Sequence, residues 1–320
     1  MPLFATVAPA DADRAALQRH LRKLKRVFPV DALASEHTSM QQVVDYYDAC
    51  QHAYRKYHSS EGAVHRALND GDRFDPDGFY GQLRRIEAGW AQAASPPRDV
   101  LELAFGQGFN LAWLAARHPQ VQFRGVDLTP AHVRLAVQRM QTQGLANVQL
   151  QHGDYQQLPF ADASFDQLFC IEAMCHASDL PRALGEAARV LRPGGVLTLF
   201  DGYLPRPVQQ LDADEALAVV LVAKGMAVER LQVLDEFLHH AQAAGLEALQ
   251  VDSLDAQVMP SLRRLERITS AVVRWPWLGR RALARRPEMR GRNVLAGCLM
   301  RSTVALGLIG YRQLVLQKKG

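Results

Sequence analysis

The chain has 320 residues, of which 48% are hydrophobic and 22% charged. That balance excludes a disordered or fibrous chain and suits one large α/β domain or a domain with an added cap. The formal net charge of +4 is too small to argue for a nucleic-acid partner, and the four cysteines (Cys50, Cys170, Cys175, Cys298) lack any paired metal spacing and read as reduced, buried thiols.

The opening Met1-Pro-Leu-Phe-Ala-Thr has no apolar signal core, so a cytoplasmic protein is expected. Residues 1–95 read as a helical segment. Leu17, Leu21 and Leu24 share one face of a first helix, and the 41–57 region is rich in aromatic and polar residues. Ser95-Pro-Pro-Arg breaks the chain. From Asp99 to Tyr203 short apolar strands alternate with helical stretches, the pattern of a parallel sheet with crossover helices. Thr129-Pro130 is expected to cap and start the helix after the second strand. A helix over Leu180–Leu191 should stop at Arg192-Pro-Gly-Gly, with Val196–Phe200 as the next strand. Helices are predicted over Leu211–Met226, Val233–Ala244 and most of Pro260–Ala305, with strands at Leu246–Val251 and from Tyr311 onward. The late apolar run from Val294 to Ile309 is broken by Arg301 and falls short of the ~20 residues a membrane span needs.

The segment from Val100 to Asn110 carries the most chemistry. An apolar run ends on Glu102, passes Gly106 and Gly108, and enters a helix. Glycine there lets the backbone come close to a ligand. The next two apolar runs also finish in acids, Asp127 and Asp154. A dinucleotide site would need a third small residue in the loop, but Leu111 or Phe109 stands there, and an acid beside the loop suits a phosphate badly. It suits an ammonium group well. Asp127 is placed for ribose hydroxyls, and Asp154 with Tyr155 and Gln156 for an adenine edge. S-adenosylmethionine is the expected cofactor.

These motifs, together with Gly125-Val-Asp-Leu-Thr, Asp162-Ala-Ser-Phe-Asp and Val190-Leu-Arg-Pro-Gly-Gly, resemble the class I S-adenosylmethionine-dependent methyltransferases over about residues 99–202. The resemblance implies a Rossmann-like fold: a seven-stranded, mainly parallel sheet with helices on both faces. A helical N-terminal segment (1–95) covers the active site, the cofactor core spans 96–255, and a helical cap with the final strand spans 256–320. It implies a cofactor site over Glu102, Ala104, Phe105, Gly106, Gly108, Asp127, Leu128, Asp154, Tyr155 and Cys170, with Ala104 where the family most often has glycine.

Phe169-Cys-Ile-Glu-Ala-Met-Cys-His-Ala is similar to the matching stretch of sterol C-methyltransferases, and Tyr46-Tyr47 falls where that family has a Tyr-Tyr pair. Tyr57-His-Ser-Ser-Glu-Gly departs from its aromatic–glycine run. The resemblance makes Glu172 and His176 the expected catalytic pair: a carboxylate to stabilise a carbocation and a base to take its proton. Tyr46, Tyr47, Tyr54 and Tyr57 could add cation–π stabilisation.

Between Ala256 and Arg292 stand ten arginines against Glu266 and Glu288, with no lysine. Arginine forks match phosphate oxygens, so Arg263, Arg264 and Arg267 are expected to bind a prenyl diphosphate such as farnesyl diphosphate, arriving with magnesium, and the methylated cation could then cyclise. The alternative is a sterol or a quinol-like or phenolic small molecule. No nucleic-acid partner is expected, and the oligomeric state is open, a homo-oligomer included.

Overall fold

The computed structural model describes residues 11–93, 95–275, 277, 280, 281 and 288–320. The N-terminal hexapeptide, Ala94, Arg285 and Arg286 lie outside them, as does the side chain of Arg290.

Strands β1 (Asp99–Leu103), β2 (Gln122–Asp127), β3 (Val148–His152), β4 (Phe165–Ile171), β5 (Leu191–Tyr203), β6 (Leu246–Ser253) and β7 (Gly310–Lys318) form one sheet in the order β3-β2-β1-β4-β5-β7-β6. The first five are parallel, and β7 runs antiparallel between β5 and β6. The expected seven-stranded, mainly parallel architecture is the one observed. The order reverses at β1/β4, and open α/β sheets bind ligands at the carboxyl ends of the strands flanking such a point.

Helices cover both faces. On one lie α4 (Gly81–Gln92), α5 (Phe109–Arg117) and α6 (Pro130–Gln143), packed against Phe123 and Phe169. On the other lie α7 (Leu180–Val190) and α9 (Leu234–Ala243), against Leu168 and Leu199. Periodicity explains the burial: Leu180, Ala183, Leu184 and Ala187 make one stripe of α7.

A further helical layer combines α1 (Asp11–Lys25), α2 (Val30–Ser35), α3 (Met40–Ala53), α8 (Ala213–Gly225), α10 (Asp255–Val273) and α11 (Glu288–Ala305). Leu17, Leu21 and Leu24 are buried, as their spacing requires. Capping boxes start α3 (Ser39 with Gln42) and α8 (Asp212 with Glu215). α11 packs closely on its neighbours because glycines replace side chains at the crossings. A Cβ on Gly297 would lie 2.4 Å from Thr269 Cγ2, and one on Gly225 would lie 2.8 Å from the Ala296 nitrogen.

Two expectations shift. α7 ends at Val190 and β5 begins at Leu191, five residues early, because Leu191 already pairs with Phe165 before an irregularity in the ladder. Thr129 holds the N-cap position of α6, but its side chain makes no capping bond, and its N–H donates instead to Asp127 Oδ1 at 2.8 Å. The strand expected from Tyr311 onward is β7, Gly310–Lys318, and lies inside the sheet between β5 and β6.

Candidate active site

The glycine loop after β1 turns through left-handed backbone at Ala104 (φ 58°), Gly106 (φ 56°) and Gly108 (φ 72°). Alanine at the first of these carries the strain that glycine avoids. Gly125 is required by packing, since a Cβ there would lie 2.5 Å from Phe105 Cδ1.

Glu102 is 1% exposed and accepts one hydrogen bond on Oε1, from Asn110 Nδ2 at 2.7 Å. Its buried Oε2 has no partner. Burial pushes its carboxyl up to about 8: a carboxylate stripped of water and left without a cation. An α-ammonium group would supply that missing partner. Asp127, the last residue of β2, is fixed by the Gly106 amide on Oδ2 and the Thr129 amide on Oδ1, both at 2.8 Å. Asp154, two residues beyond β3, accepts from the Gln156 amide and side chain. The three predicted acids thus stand at the ends of β1, β2 and β3, and the orphaned Glu102 oxygen fits the methionine end of the expected cofactor.

Phe105, Tyr155 and Cys170 are buried; Tyr155 donates to the Ala173 carbonyl, and Cys170 sits inside β4 with its thiol pushed up by burial. Leu128 is half-buried, and its carbonyl meets His152 Nε2.

Beyond the β4 and β5 ends lies a cavity of about 340 Å³, within the size range of small-molecule sites. Most of its wall is apolar and comes from the helical layer, including Val222, Leu262, Ile268, Val272 and Met300. Its polar groups include Tyr46, Tyr47, Arg66, Glu172, His176 and Tyr311. Glu172 holds a left-handed backbone (φ 51°) just past β4 and is pinned on three sides. Oε1 accepts the Arg66 amide at 2.8 Å and the Tyr311 hydroxyl at 2.9 Å, while Oε2 pairs with the Arg66 guanidinium. The other guanidinium nitrogen meets the sulfurs of Met226 and Met300.

His176 Nδ1 lies 3.2 Å from the Ala227 carbonyl, which can only accept, so the ring carries its proton there. Nε2 then accepts from the Tyr47 hydroxyl at 3.0 Å. Burial pushes His176 down to about 4, so the ring is neutral at ordinary pH. Tyr46 and Tyr47 meet edge-to-face at 5.1 Å, and Tyr54 stacks on Tyr47 at 6.5 Å. Tyr46 donates to Asn293 and is fully buried. Tyr57 is half-exposed at the rim.

Arg263, Arg264 and Arg267 are not on the cavity wall, contrary to expectation. Leu262, Leu265, Ile268 and Val272 form the inward stripe of α10, and helical spacing turns the three arginines away. Arg264 instead lies over the Phe74 ring and donates to the Tyr57 carbonyl, and Arg263 faces Asp72.

Sequence reasoning missed three groups that the fold brings in. Arg66 holds Glu172; Tyr311 reaches it from β7; and His65 Nε2 meets Asn110 Oδ1 at 3.0 Å. The last contact completes a buried chain from Glu102 through Asn110 and His65 to the loop that presents Arg66. No spacing in Ala-Val-His-Arg-Ala signals it.

A switch-point fold with a row of acids and a glycine loop at its strand ends is the arrangement of a nucleoside-using enzyme. Residues 100–195 match the family described as "Methyltransferase domain". Methyltransferase GfsG of Streptomyces halstedii is 30% identical over 224 residues, 69% of this chain and 78% of its own length. The 24-methylenesterol C-methyltransferase 2 of Oryza sativa subsp. japonica is 29% identical over 170 residues, 53% of this chain and 46% of its own length. The chain spans roughly half the length of most curated relatives it matches. Among solved structures, the [4+2]-cyclase SpnF superposes with a TM-score of 0.70 at 20% identity, covering 88% of this chain and 97% of SpnF. The chain belongs to the class I S-adenosylmethionine-dependent methyltransferases.

Proposed function

We propose that this methyltransferase C-methylates an alkene carbon of an apolar, isoprenoid-type small molecule. The observation that carries the reading is the cavity. Its wall is apolar over most of its extent, and its acid–base and aromatic groups include Glu172 and His176, which the sequence resemblance assigns to catalysis. S-adenosylmethionine, when bound, supplies an electrophilic methyl group. Glu102 would hold its ammonium group, and Asp127 and Asp154 its ribose and base.

The chain's own residues then have distinct tasks. Apolar walls orient the hydrocarbon and exclude water that would quench a substrate cation. The ring faces of Tyr46, Tyr47 and Tyr54 would stabilise positive charge placed over them. Glu172 contributes a fixed negative charge, partly offset by Arg66. A proton lost from the cation can pass through the Tyr47 hydroxyl to His176 Nε2, the neutral base.

Among the described residues, Arg66 is the only arginine or lysine on the cavity wall, and it is committed to Glu172. A diphosphate inside the cavity would face that single paired cation, so an uncharged isoprenoid, a sterol included, fits better than farnesyl diphosphate. No three His, Cys, Asp or Glu side chains among the described residues gather as a metal site. Magnesium belongs to this reading only as the companion of a diphosphate substrate.

The test is incubation with labelled S-adenosylmethionine and farnesyl diphosphate, a sterol, a neutral polyprenyl alcohol and a quinol. Label in an acid-stable C–C bond of a neutral isoprenoid is expected. Label found solely in methyl ethers, or solely in the diphosphate, overturns the corresponding half of the reading.

A further inference from the structure

We propose that the C-terminal end of α10, with Trp275, Trp277, Arg280 and Arg281 beyond it, forms a docking surface for an anionic lipid bilayer. Two tryptophans project there: Trp275 is 57% and Trp277 61% exposed, whereas the other two tryptophans of the chain, Trp90 and Trp113, pack within the fold. Exposed rings of this size are out of place in water, and tryptophan favours the polar–apolar boundary of a membrane. The surrounding charge has one sign. Arg274 lies 6.0 Å from the Trp275 ring, and Arg274, Arg280 and Arg281 are all exposed. Arg292, the last arginine of the 256–292 run, is buried and paired with Glu36, so the exposed charge here is that of Arg274, Arg280 and Arg281.

An anionic headgroup layer answers both features at once. Arginines near such a surface are drawn to its negative potential, and interfacial rings add apolar burial. The exposed Arg263 and Arg267 extend the same charge back along α10.

The position of the patch gives it a use. The helix that ends two residues before Trp275 also lines the cavity with Leu262, Leu265, Ile268 and Val272, the last of these three residues before the tryptophan. A protein seated by this end would hold its apolar cavity next to the layer where a water-insoluble substrate resides. The inference rests on the cavity being a site for an apolar substrate, but its test reads binding without any methyl transfer. An RNA strand would also attract the arginines and could stack its bases on the tryptophans, yet it would have no use for the apolar cavity lined by the same helix.

The experiment is co-sedimentation of the full chain with vesicles of phosphatidylcholine alone and of phosphatidylcholine with phosphatidylglycerol, at low and high salt, with tryptophan emission recorded in parallel. Expected are binding to the anionic vesicles, a blue shift, and weakening at high salt. A Trp275→Ser/Trp277→Ser double variant and an Arg280→Glu/Arg281→Glu double variant should each lose roughly tenfold or more in partitioning. S-adenosylhomocysteine affinity should be unchanged in both, which shows that they are folded. Equal binding of wild type and variants, binding indifferent to the anionic lipid, or a blue shift without vesicles that follows self-association overturns the proposal. Retention on RNA in place of vesicles overturns it as well. A failure here with intact methylation of a detergent-solubilised isoprenoid leaves the substrate reading standing; success with no isoprenoid methylated sinks that reading alone.

Discussion

Glu102 offers the sharpest test of the cofactor site, because its environment makes binding a proton-linked event. In the chain alone its carboxyl titrates at about 8 rather than 4.5, so at pH 7 about nine-tenths of molecules hold it protonated. Pairing with the ammonium of S-adenosylhomocysteine requires the carboxylate. Binding at pH 7 should therefore release close to one proton, and log Ka should rise with a slope near one from pH 6 to about pH 8, then level off. The displacement corresponds to roughly 5 kcal/mol at about 1.4 kcal/mol per unit, as an upper figure. Its sign is fixed by the raised value. The protonated group favours the fold, that contribution is fully present below 4.5, and it is lost as pH rises through about 8. Glu102→Gln should abolish both effects. Between pH 4.5 and about 8 the ligand-free variant should hold its Tm while that of the wild type declines, and ligand affinity should fall roughly 10- to 150-fold, the worth of a charge-assisted bond. Calorimetry in buffers of different ionisation enthalpy reads the proton directly. No proton release from the wild type, or an unchanged slope in Glu102→Gln, would refute the assignment of the ammonium to this carboxylate.

Other consequences follow from the same geometry. His65→Ala breaks the chain from Glu102 to the Arg66 loop. It should weaken S-adenosylhomocysteine binding several-fold and also raise KM for the methyl acceptor, whereas a purely local role would alter only the first. His58 and His176 are both pushed down to about 4 by burial, so between pH 6.5 and 4 the unfolded chain binds protons that the fold refuses, and stability should fall across that window. A His58→Asn/His176→Asn variant should show a shallower decline of Tm there. Gly297→Ala forces a methyl against Thr269 and should cost about 1–3 kcal/mol of unfolding free energy in denaturant titration. Thr269→Ala in the same chain should restore most of it, and no restoration would place the strain elsewhere.

The sequence by itself determined the alternation of strands and helices, and hence the sheet. Its short apolar runs end in acids, and each acid marks where a strand meets solvent and ligand. Glu102, Asp127 and Asp154 were legible because a carboxylate closing an apolar run is a local signal, as were Gly106 and Gly108 because tight backbone demands glycine. His176 and Glu172 were legible only through a motif.

Tertiary structure decided the rest. Arg66 sits in a loop with no periodicity and gains its role by meeting Glu172, more than a hundred residues away in sequence; Tyr311 reaches the same carboxylate from the last strand. Conversely, arginines that looked like a phosphate clamp in the linear sequence are turned outward by the helical period of α10, and that turn gives the protein an apolar cavity with a basic exterior. Local pattern specifies which elements form and where the chain can approach a ligand. Which side chains share a cavity, and which charges are neutralised there, depends on contacts between distant segments, and no window of sequence contains both partners.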